Sequence, residues 1–397
     1  MKVAFYSNYL THHQIPFCTE MYRLLKEDFV FVSNDSMENM RREQGWELKE
    51  RFPYELQAKE EQGFSKALLL SKESDVIIIG SAPEIYVKER MRLPSLGITF
   101  RYSERIFKKG KLRFLSPRGL LLRADTYYRY RKKNLYMLCA SAYTSADLML
   151  QGSYLGKCYK WGYFPETRSY ELSDLMKIKR KSKPEILWCG RFLKWKHPEA
   201  AILLAHRLKQ EGFDFTLTMI GAGERESILR ELIAKYRLDA YIKLLGVMSP
   251  EQVRQRMEEA DIFLSTSDFN EGWGAVMNEA MNSGCAVVAS HAVGAAPYLI
   301  KDGINGFMYK NGALDSLYRK VKQLLLCPEL REKLGLNAYQ TIITEWNAKE
   351  AAKRLLLLTS DLLAKGYSDR FESGPCSRAL IMYNHWYRDK KTDLYKF

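Results

Sequence analysis

Two glutamates, Glu271 and Glu279, stand eight positions apart around the Gly-Trp-Gly sequence at 272–274. Gly272 and Gly274 disfavour a continuous helix between the two carboxylates. A loop followed by a helix that starts near Gly274 would leave backbone N–H groups and the positive end of the helix dipole available to a phosphate or pyrophosphate. In that arrangement Glu279 lies about a turn and a half inside the helix.

Carboxylates beside a diphosphate repel its negative charge. Their presence there is explained if they bind neutral groups. The hydroxyl groups of sugars are suitable neutral donors for carboxylate oxygens. A diphosphate site that also contains Glu271 and Glu279 is therefore expected to bind hydroxyl-rich rings on either side of the phosphates. This description fits a nucleotide sugar.

The elements that must position these residues are apolar, β-rich runs that alternate with helical patterns. In the first half we expect an amphipathic helix at 14–27 and strands at 2–7, 29–33, 75–80 and 98–102. In the second half we expect strands at 185–190, 215–221, 241–246, 261–267 and 285–290. Apolar strands joined through helices are typical of parallel sheets covered on both faces. The sequence therefore predicts an α/β fold with two Rossmann-like domains.

The boundary between the two domains is predicted at 161–184, where apolar periodicity is lost and Pro165 and Pro184 occur. This composition is typical of an interdomain linker. The expected domains are 1–165 and 185–345, followed by a C-terminal helical segment at 346–397.

Open parallel sheets bind ligands beyond the carboxyl ends of their strands. In the second half of the chain, loops at 190–196, 222–224, 247–250 and 269–275 each follow a predicted strand. All four are expected to face one cleft. The glutamates named above belong to the last of these loops and the helix after it.

Several of these segments resemble the donor-binding domain of family 4 glycosyltransferases, which are retaining enzymes of the GT-B fold. The similar segments are GRFLKWK at 190–196, IGAGE at 220–224, ADIFLSTS at 260–267 and the stretch from Glu271 to 290. The resemblance extends over roughly residues 185–310. It implies two parallel sheets that face a central cleft, with an acceptor-binding N-terminal domain, a nucleotide-sugar-binding C-terminal domain, and a terminal segment that crosses back to the first domain.

The resemblance also implies roles for individual residues. Glu271 would contact the transferred sugar and Glu279 the ribose, while Arg191 and Lys196 would hold the diphosphate and offset the charge on the leaving group. The expected catalytic residues are thus Arg191, Lys196 and Glu271. The expected donor-binding residues are Gly190, Gly221, Gly223, Val247, Gly272, Trp273, Gly274, Ala275, Val276 and Glu279. The sequence departs from the family mildly, since His197 stands where Gly is frequent and GWG where GFG is frequent.

The chain contains no Asp-x-Asp sequence and no His/Asp cluster. We therefore expect no metal and no cofactor besides the nucleotide-diphosphate sugar, which is the donor substrate. On the acceptor side, NYLTHHQIPF at 8–17 and RYSER at 101–105 resemble segments of bacterial polysaccharide glycosyltransferases. They make His13, Ser103 and Glu104 candidate acceptor-side residues, whereas His12 has no assigned role.

The formal net charge of +15 is concentrated in residues 88–133, which contain 15 Lys and Arg against 3 Asp and Glu. Aromatic and leucine side chains in the same segment favour an anionic membrane surface over nucleic acid or a merely solvated face. No stretch of the sequence reaches the ~18 apolar residues of a membrane span. We expect a cytoplasmic protein that is peripheral on the inner face of the cell membrane.

Together these features predict a retaining glycosyltransferase that moves a sugar from a nucleotide-diphosphate sugar to a hydroxyl of a glycan or lipid-linked oligosaccharide. Two alternatives remain at this point. A non-hydrolysing nucleotide-sugar epimerase shares the two-domain layout, and a non-catalytic glycan-binding module would bind the same ligands without turnover.

Overall fold

The chain folds as two units. The computed structural model describes residues 1–36, 51–94, 97–108, 117–179 and 183–388. Unit 1 combines Met1–Thr167 with Thr344–Ile381, and unit 2 combines Arg168–Ile343 with the described residues from Met382 onward. Unit 1 is therefore discontinuous in sequence, because its last part follows unit 2.

Unit 1 contains, within the described residues, a seven-stranded parallel sheet in the order β3-β2-β1-β4-β5-β6-β7. The strands are β1 (Val3–Ser7), β2 (Phe29–Ser33), β3 (Glu55–Gln57), β4 (Val76–Ile79), β5 (Ile98–Ser103), β6 (Leu135–Cys139) and β7 (Cys158–Lys160). The central strands β1 and β4 are buried along their whole length. Their apolar side chains on both faces explain the near-continuous apolar runs in the sequence.

Helices connect these strands. They are α1 (Ile15–Leu25), α2 (Gly63–Glu73), α3 (Ile85–Met91), α4 (Pro117–Thr126) and α5 (Thr144–Leu150). The outer edge of β7 does not face solvent, because the Lys160 N–H donates to the Ser377 carbonyl at 2.7 Å and its carbonyl accepts from the Cys376 N–H at 2.8 Å. Pairing of this kind protects a sheet edge from association with other chains.

Unit 2 contains, within its described residues, a six-stranded parallel sheet in the order β10-β9-β8-β11-β12-β13. The strands are β8 (Glu185–Cys189), β9 (Thr216–Ile220), β10 (Ile242–Leu244), β11 (Ile262–Ser265), β12 (Ala286–Ser290) and β13 (Phe307–Tyr309). The order of the strands reverses between β8 and β11. In a doubly wound sheet this reversal opens a crevice at the carboxyl ends of the two strands.

The helices of unit 2 cover both faces of its sheet. They are α6 (Leu172–Lys179), α7 (Glu199–Gln210), α8 (Glu226–Lys235), α9 (Pro250–Glu259), α10 (Val276–Asn282), α11 (Ala296–Leu299), α12 (Leu314–Leu326) and α13 (Pro328–Thr344). Apolar side chains of α7 and α12 form a buried core with those of the strands, including Leu204, Val321 and Trp188. Burial of each such side chain stabilises the unit by about 1.5–3 kcal/mol.

The last helix, α14 (Ala348–Lys365), returns to unit 1 and packs against α1. Its start is capped by Asn347, whose side-chain oxygen accepts from the Glu350 N–H at 2.9 Å. It ends at Gly366, which adopts the left-handed conformation with φ of 76°. Both features are usual start and stop signals for helices.

The segment 346–397, expected to be helical and to join the first domain, is divided in the structure. Of its described residues only those of α14 are α-helical, and the residues from Met382 group with unit 2. They do so because Tyr387 donates its hydroxyl to the Met308 carbonyl at 2.6 Å and the Asn384 carbonyl lies 3.2 Å from His291 Nε2. The expected linker also differs, since α6 lies within it and belongs to unit 2.

All nine predicted strands are confirmed, together with the helix at the start of the chain. The sequence did not indicate β3, β6, β7 or β13. Within the basic segment 88–133, residues 95, 96 and 109–116 lie outside the described residues, as do 180–182 of the linker and 389–397 of the C-terminal segment. None of the described helices combines the length and apolarity needed to cross a bilayer.

Candidate active site in unit 2

The candidate site lies at the strand-order reversal of the unit 2 sheet. Lys196 is on the loop after β8, and Glu271 is on the loop after β11. Lys196 Nζ lies 2.6 Å from Glu271 Oε2, and these side chains are only 12% and 13% exposed. The Ser267 hydroxyl donates to the same oxygen at 2.8 Å. The pair is thus held in a defined geometry by contacts within the protein.

The Thr266 side chain and a backbone hydrogen bond join the loops that carry this pair. Thr266 Oγ1 accepts from Trp188 Nε1 at 2.8 Å and donates to the Lys196 carbonyl at 2.6 Å. The Asp268 N–H donates to the Trp195 carbonyl at 2.9 Å. The loop after β8 is therefore fixed to the loop after β11 through both side chains and backbone. Sequence reasoning did not single out Ser267 or Thr266, because neither residue type is unusual at the end of a strand.

Glycines allow the other strand-end loops to approach each other closely. A Cβ on Gly221 would lie 2.0 Å from the Gly190 carbonyl oxygen, and one on Gly223 would lie 2.7 Å from that of Phe192. Such distances are far below van der Waals contact, so these positions accept no side chain without a shift of the backbone. Arg191 projects from this tight arrangement and is exposed. Among the residues that the structure describes, its side chain has no ion-pair partner.

The loop that carries Glu271 ends in a helix whose first residue is Val276, two positions later than the sequence indicated. Gly274 has a φ of 93°, which excludes it from a helix. Glu279 consequently lies in the first helical turn rather than a turn and a half inside. The backbone N–H groups of Gly274, Ala275 and Val276 have no hydrogen-bond partner among the described residues.

The Trp273 side chain lies in the core and not where it could contact a donor. Its indole is fully buried, and Nε1 donates to Asn278 Oδ1 at 2.9 Å. The side chain therefore anchors the loop in the core, and only the backbone of Trp273 is suited to contact a ligand. Gly272 is likewise buried.

Glu279 and Lys196 both act electrostatically on Cys189, the last residue of β8. Burial and, after it, the Glu279 carboxylate raise the pKa of the Cys189 thiol to about 12, while Lys196 opposes the shift. Cys189 also lines a small cavity together with Lys196, Glu271 and Gly274. Glu279 thus belongs to the same neighbourhood as the Lys196–Glu271 pair. No sequence pattern indicated Cys189, because it follows an apolar run like any core residue.

Val247 is 62% exposed on the loop after β10. The preceding residue, Gly246, accepts from the Gly221 N–H at 2.7 Å through its carbonyl oxygen. This bond ties the Val247 loop to the loop after β9. The structure thereby joins the four loops predicted from the sequence at one edge of the unit 2 sheet.

The candidate acceptor-side residues form a cluster in unit 1. Glu104 Oε1 accepts from the Tyr163 hydroxyl at 2.7 Å, and its other oxygen pairs with Lys108. The Tyr163 ring stacks on His13 with a centroid distance of 6.0 Å. Tyr163 thus joins two of the predicted residues, although it lies far from both in sequence and was not indicated.

The remaining candidate, Ser103, and the neighbouring His12 have local contacts. The Ser103 hydroxyl donates to the Glu104 carbonyl at 2.8 Å. The His12 ring lies 3.8 Å from that of His13, measured between centroids. The Ser103 hydroxyl is therefore occupied by the backbone of the next residue, whereas His12 is next to the cluster.

Two successive doubly wound parallel sheets define a protein of the two-domain Rossmann-like α/β class, which confirms the predicted α/β architecture. Residues 175–341 match the family model "Glycosyl transferases group 1". This match confirms, for this part of the chain, the resemblance to glycosyltransferases seen in the sequence. The matched part contains the whole of the Lys196–Glu271 site.

Curated relatives match about half of the chain. An uncharacterized glycosyltransferase of Methanocaldococcus jannaschii, MJ1069, is 32% identical over 183 residues, which cover 45% of each chain. The amylovoran biosynthesis glycosyltransferase AmsK of Erwinia amylovora is 32% identical over 201 residues, which cover 49% of this chain and 48% of the relative. The chain thus spans about half the length of these curated relatives.

Solved structures resemble the fold along most of the chain. Alr3699/HepE of Anabaena, crystallised with UDP, has a TM-score of 0.65 at 15% identity and covers 91% of this chain and 100% of its own. Sucrose-phosphate synthase of Thermosynechococcus elongatus has a TM-score of 0.62 at 16% identity and covers 92% and 99%. The fold is that of the GT-B glycosyltransferases.

Proposed function

We propose that the protein is a glycosyltransferase that moves a sugar from a nucleotide-diphosphate sugar to a hydroxyl of a glycan or lipid-linked acceptor, with retention of anomeric configuration. The observation that carries the proposal is the Lys196–Glu271 pair at the strand-order reversal, within the segment that matches the group 1 family. A cation and a carboxylate fixed side by side suit a donor that carries both phosphates and hydroxyl groups.

The donor diphosphate is held by Arg191, Lys196 and the backbone N–H groups at 274–276. Arg191 offers exposed guanidinium donors, and Lys196 keeps hydrogen-bonding capacity beyond its contact with Glu271 because an ammonium group has three donors. As the bond to the sugar breaks, negative charge builds on the leaving phosphate. Preorganised positive groups stabilise that charge more in the transition state than in the ground state.

The carboxylates bind the neutral parts of the donor. Glu271 accepts hydrogen bonds from the transferred sugar, and Glu279 accepts them from the ribose. Both side chains are partly buried, so a hydroxyl that replaces water there loses little of its hydrogen bonding. No metal is required in this arrangement, because the cationic side chains supply the positive charge that a metal supplies in other sites.

The acceptor is bound by unit 1 through the cluster of Glu104, Tyr163 and His13. Tyr163 and Lys108 hold Glu104, so its carboxylate has a fixed orientation. In that orientation it meets the hydroxyl of the acceptor. The name of the relative from Erwinia amylovora, an amylovoran biosynthesis glycosyltransferase, supports a role in polysaccharide biosynthesis. A lipid-linked oligosaccharide is the acceptor that we favour.

The donor assignment is tested by thermal unfolding in the presence of UDP-, GDP-, TDP- and CMP-sugars. A nucleotide sugar at 100 times its Kd stabilises the folded state by about 2.7 kcal/mol, which raises Tm by several degrees. Transfer with the selected donor is then followed by NMR, which reports the anomeric configuration, and it is expected to persist in EDTA. An epimerised sugar nucleotide without acceptor, or the absence of any stabilising nucleotide, would contradict the proposal.

A second expectation concerns the membrane. Unit 1 exposes apolar side chains, with Leu121 72% exposed on α4, next to the described basic residues Arg129, Arg131 and Lys132. Replacing these three cations by Gln is expected to weaken binding to anionic vesicles at least tenfold, since each contributes about 1 kcal/mol near headgroups. Vesicle sedimentation measures the change.

The matched control replaces three exposed cations of unit 2, namely Lys177, Arg230 and Lys235, by Gln. This variant has the same net charge as the unit 1 variant. Equal loss of vesicle binding in both would show that total charge rather than the unit 1 surface is responsible.

A further inference from the structure

His197 directly follows Lys196 and adopts an unusual backbone conformation. Its φ of 48° and ψ of 51° place it in the left-handed region, which is costly for a residue with a side chain and is normally occupied by Gly. A histidine at such a position is favourable only if contacts of its side chain offset the backbone cost.

The His197 side chain contacts the other loop of the site. His197 Nε2 lies 3.1 Å from Asp268 Oδ2. The other oxygen of Asp268 accepts from Asn270, at 2.8 Å from the backbone N–H and 2.9 Å from the side-chain amide. Each carboxylate oxygen therefore has its own partner, and the orientation of Asp268 is fixed.

These two residues are adjacent to the two candidate catalytic groups. His197 is the neighbour of Lys196 in sequence, and the Glu271 N–H donates to the Asp268 carbonyl at 3.0 Å. The His197–Asp268 contact thus adds a side-chain link between the loops, outside the Lys196–Glu271 pair, to the Thr266–Lys196 and Asp268–Trp195 hydrogen bonds. When a diphosphate draws the Lys196 side chain away from Glu271, the His197–Asp268 contact still links the loops through side chains on both of them.

We propose that His197 and Asp268 are positioning residues that keep the Lys196 and Glu271 loops at the spacing required to bind the donor. This inference rests on the proposed function, because the donor is the ligand whose binding it concerns. Neither residue is assigned a contact with the reacting atoms. Their effect is on donor affinity more than on the chemical step.

The pair is sensitive to pH in a defined direction. The hydrogen bond with Asp268 raises the pKa of His197, with Glu199 acting in the same direction and Arg225 against it. Burial opposes ionisation of Asp268, yet hydrogen bonds from His197 and Asn270 still lower its pKa. Glu199 Oε1 lies 3.9 Å from His197 Nδ1, and Arg225 pairs with Glu199 at 3.1 Å.

The signs of these shifts give the pH window. A raised His197 pKa means that its contribution to stability is complete below the ordinary histidine pKa of 6.5 and is lost as pH rises through the folded value. A lowered Asp268 pKa means that its contribution is complete above the ordinary value of 3.8 and is lost as pH falls through the folded value. The bridge is therefore strongest in mildly acidic solution and weaker in alkaline solution.

The test compares wild type with His197→Asn across pH 5.5 to 8.5. Asparagine tolerates the left-handed conformation but carries no charge, so the backbone is kept while the ionic contact is removed. The stability advantage of wild type is expected to shrink as pH rises. Donor binding by the variant is expected to be about fivefold weaker at pH 6.5 and nearly equal to wild type at pH 8.5. KM for the donor should change more than kcat.

Arg237→Asn is the matched control. Arg237 is exposed, also has a left-handed backbone with φ of 53°, and lies in unit 2 away from the strand-end loops. This variant is expected to follow wild type in donor binding at every pH. Its stability difference should not vary with pH.

The outcomes separate this inference from the proposed function. Equal donor affinity and equal pH dependence in wild type and His197→Asn would overturn the positioning role and leave the proposed function intact. Failure of wild type to bind any nucleotide sugar would overturn both, even where the stability difference follows pH. A pH-independent stability difference would show that the charged contact does not form.

Discussion

Replacement of Lys196 by Ala lowers kcat/KM for sugar transfer by an expected factor of about 10²–10³. The substitution removes the cation that we propose binds the donor diphosphate, and it leaves Glu271, which is only 13% exposed, without the partner at 2.6 Å. The remaining carboxylate then repels the phosphates at close range. Steady-state kinetics with the donor found in the nucleotide screen measures the loss.

The control for this variant is Lys177→Ala, which removes a lysine that is 73% exposed and paired with Asp174 on the surface of the same unit. It is expected to retain wild-type kinetics. Lys196→Ala/Glu271→Gln should recover part of the donor affinity lost in the single variant, because the repelling charge is gone. Wild-type turnover in Lys196→Ala would remove the assignment of the site.

Gly221→Ala is expected to destabilise unit 2 by about 2–3 kcal/mol and to abolish donor binding. The new Cβ would lie 2.0 Å from the Gly190 carbonyl oxygen, so the loops after β8 and β9 must separate. That separation displaces Arg191, which follows Gly190 directly. Chemical denaturation and nucleotide titration measure the two effects.

Gly212→Ala is the control for Gly221→Ala. It separates the effect of steric contact between the loops from that of backbone strain at a glycine with positive φ. Gly212 also has a positive φ, of 79°, but a Cβ there meets nothing within 4 Å. This variant is expected to lose about 1 kcal/mol and to bind the donor normally. Equal behaviour of the two variants would mean that the contact between the strand-end loops has no role in the site.

The strands that could be predicted from the sequence are those whose composition reflects burial. The run VIII of β4 and AVVAS of β12 are buried at every position, and such runs are typical of parallel strands covered on both faces. Strands β3 and β13, of three residues each, were missed, although β10 of the same length was predicted because it lies within the longer apolar run at 241–246. Strand β6, LYMLC, is fully buried, but the strongly basic segment before it is more typical of an exposed surface.

The sequence predicted the site residues whose placement follows from their position at a strand end. It did not predict those whose placement depends on tertiary contacts. The spacing of Lys196 and Glu271 relative to two strand ends was sufficient to expect them together. The interior position of the Trp273 indole could not be predicted, because its partner Asn278 is recognisable only in three dimensions. Tyr163 reaches Glu104 from 59 positions away, and no sequence pattern indicates such a contact.

Because unit 2 lies between the two parts of unit 1 in the sequence, these two parts are synthesised at different times. A ribosome completes every strand of both sheets, up to Tyr309, before it has translated the helix at 348–365 that packs on α1. The first part of unit 1 therefore keeps an apolar surface uncovered until α14 is synthesised. By then the following unit is already able to fold. A polypeptide truncated after Thr167 would retain that uncovered surface permanently, and it should aggregate where the full-length polypeptide does not.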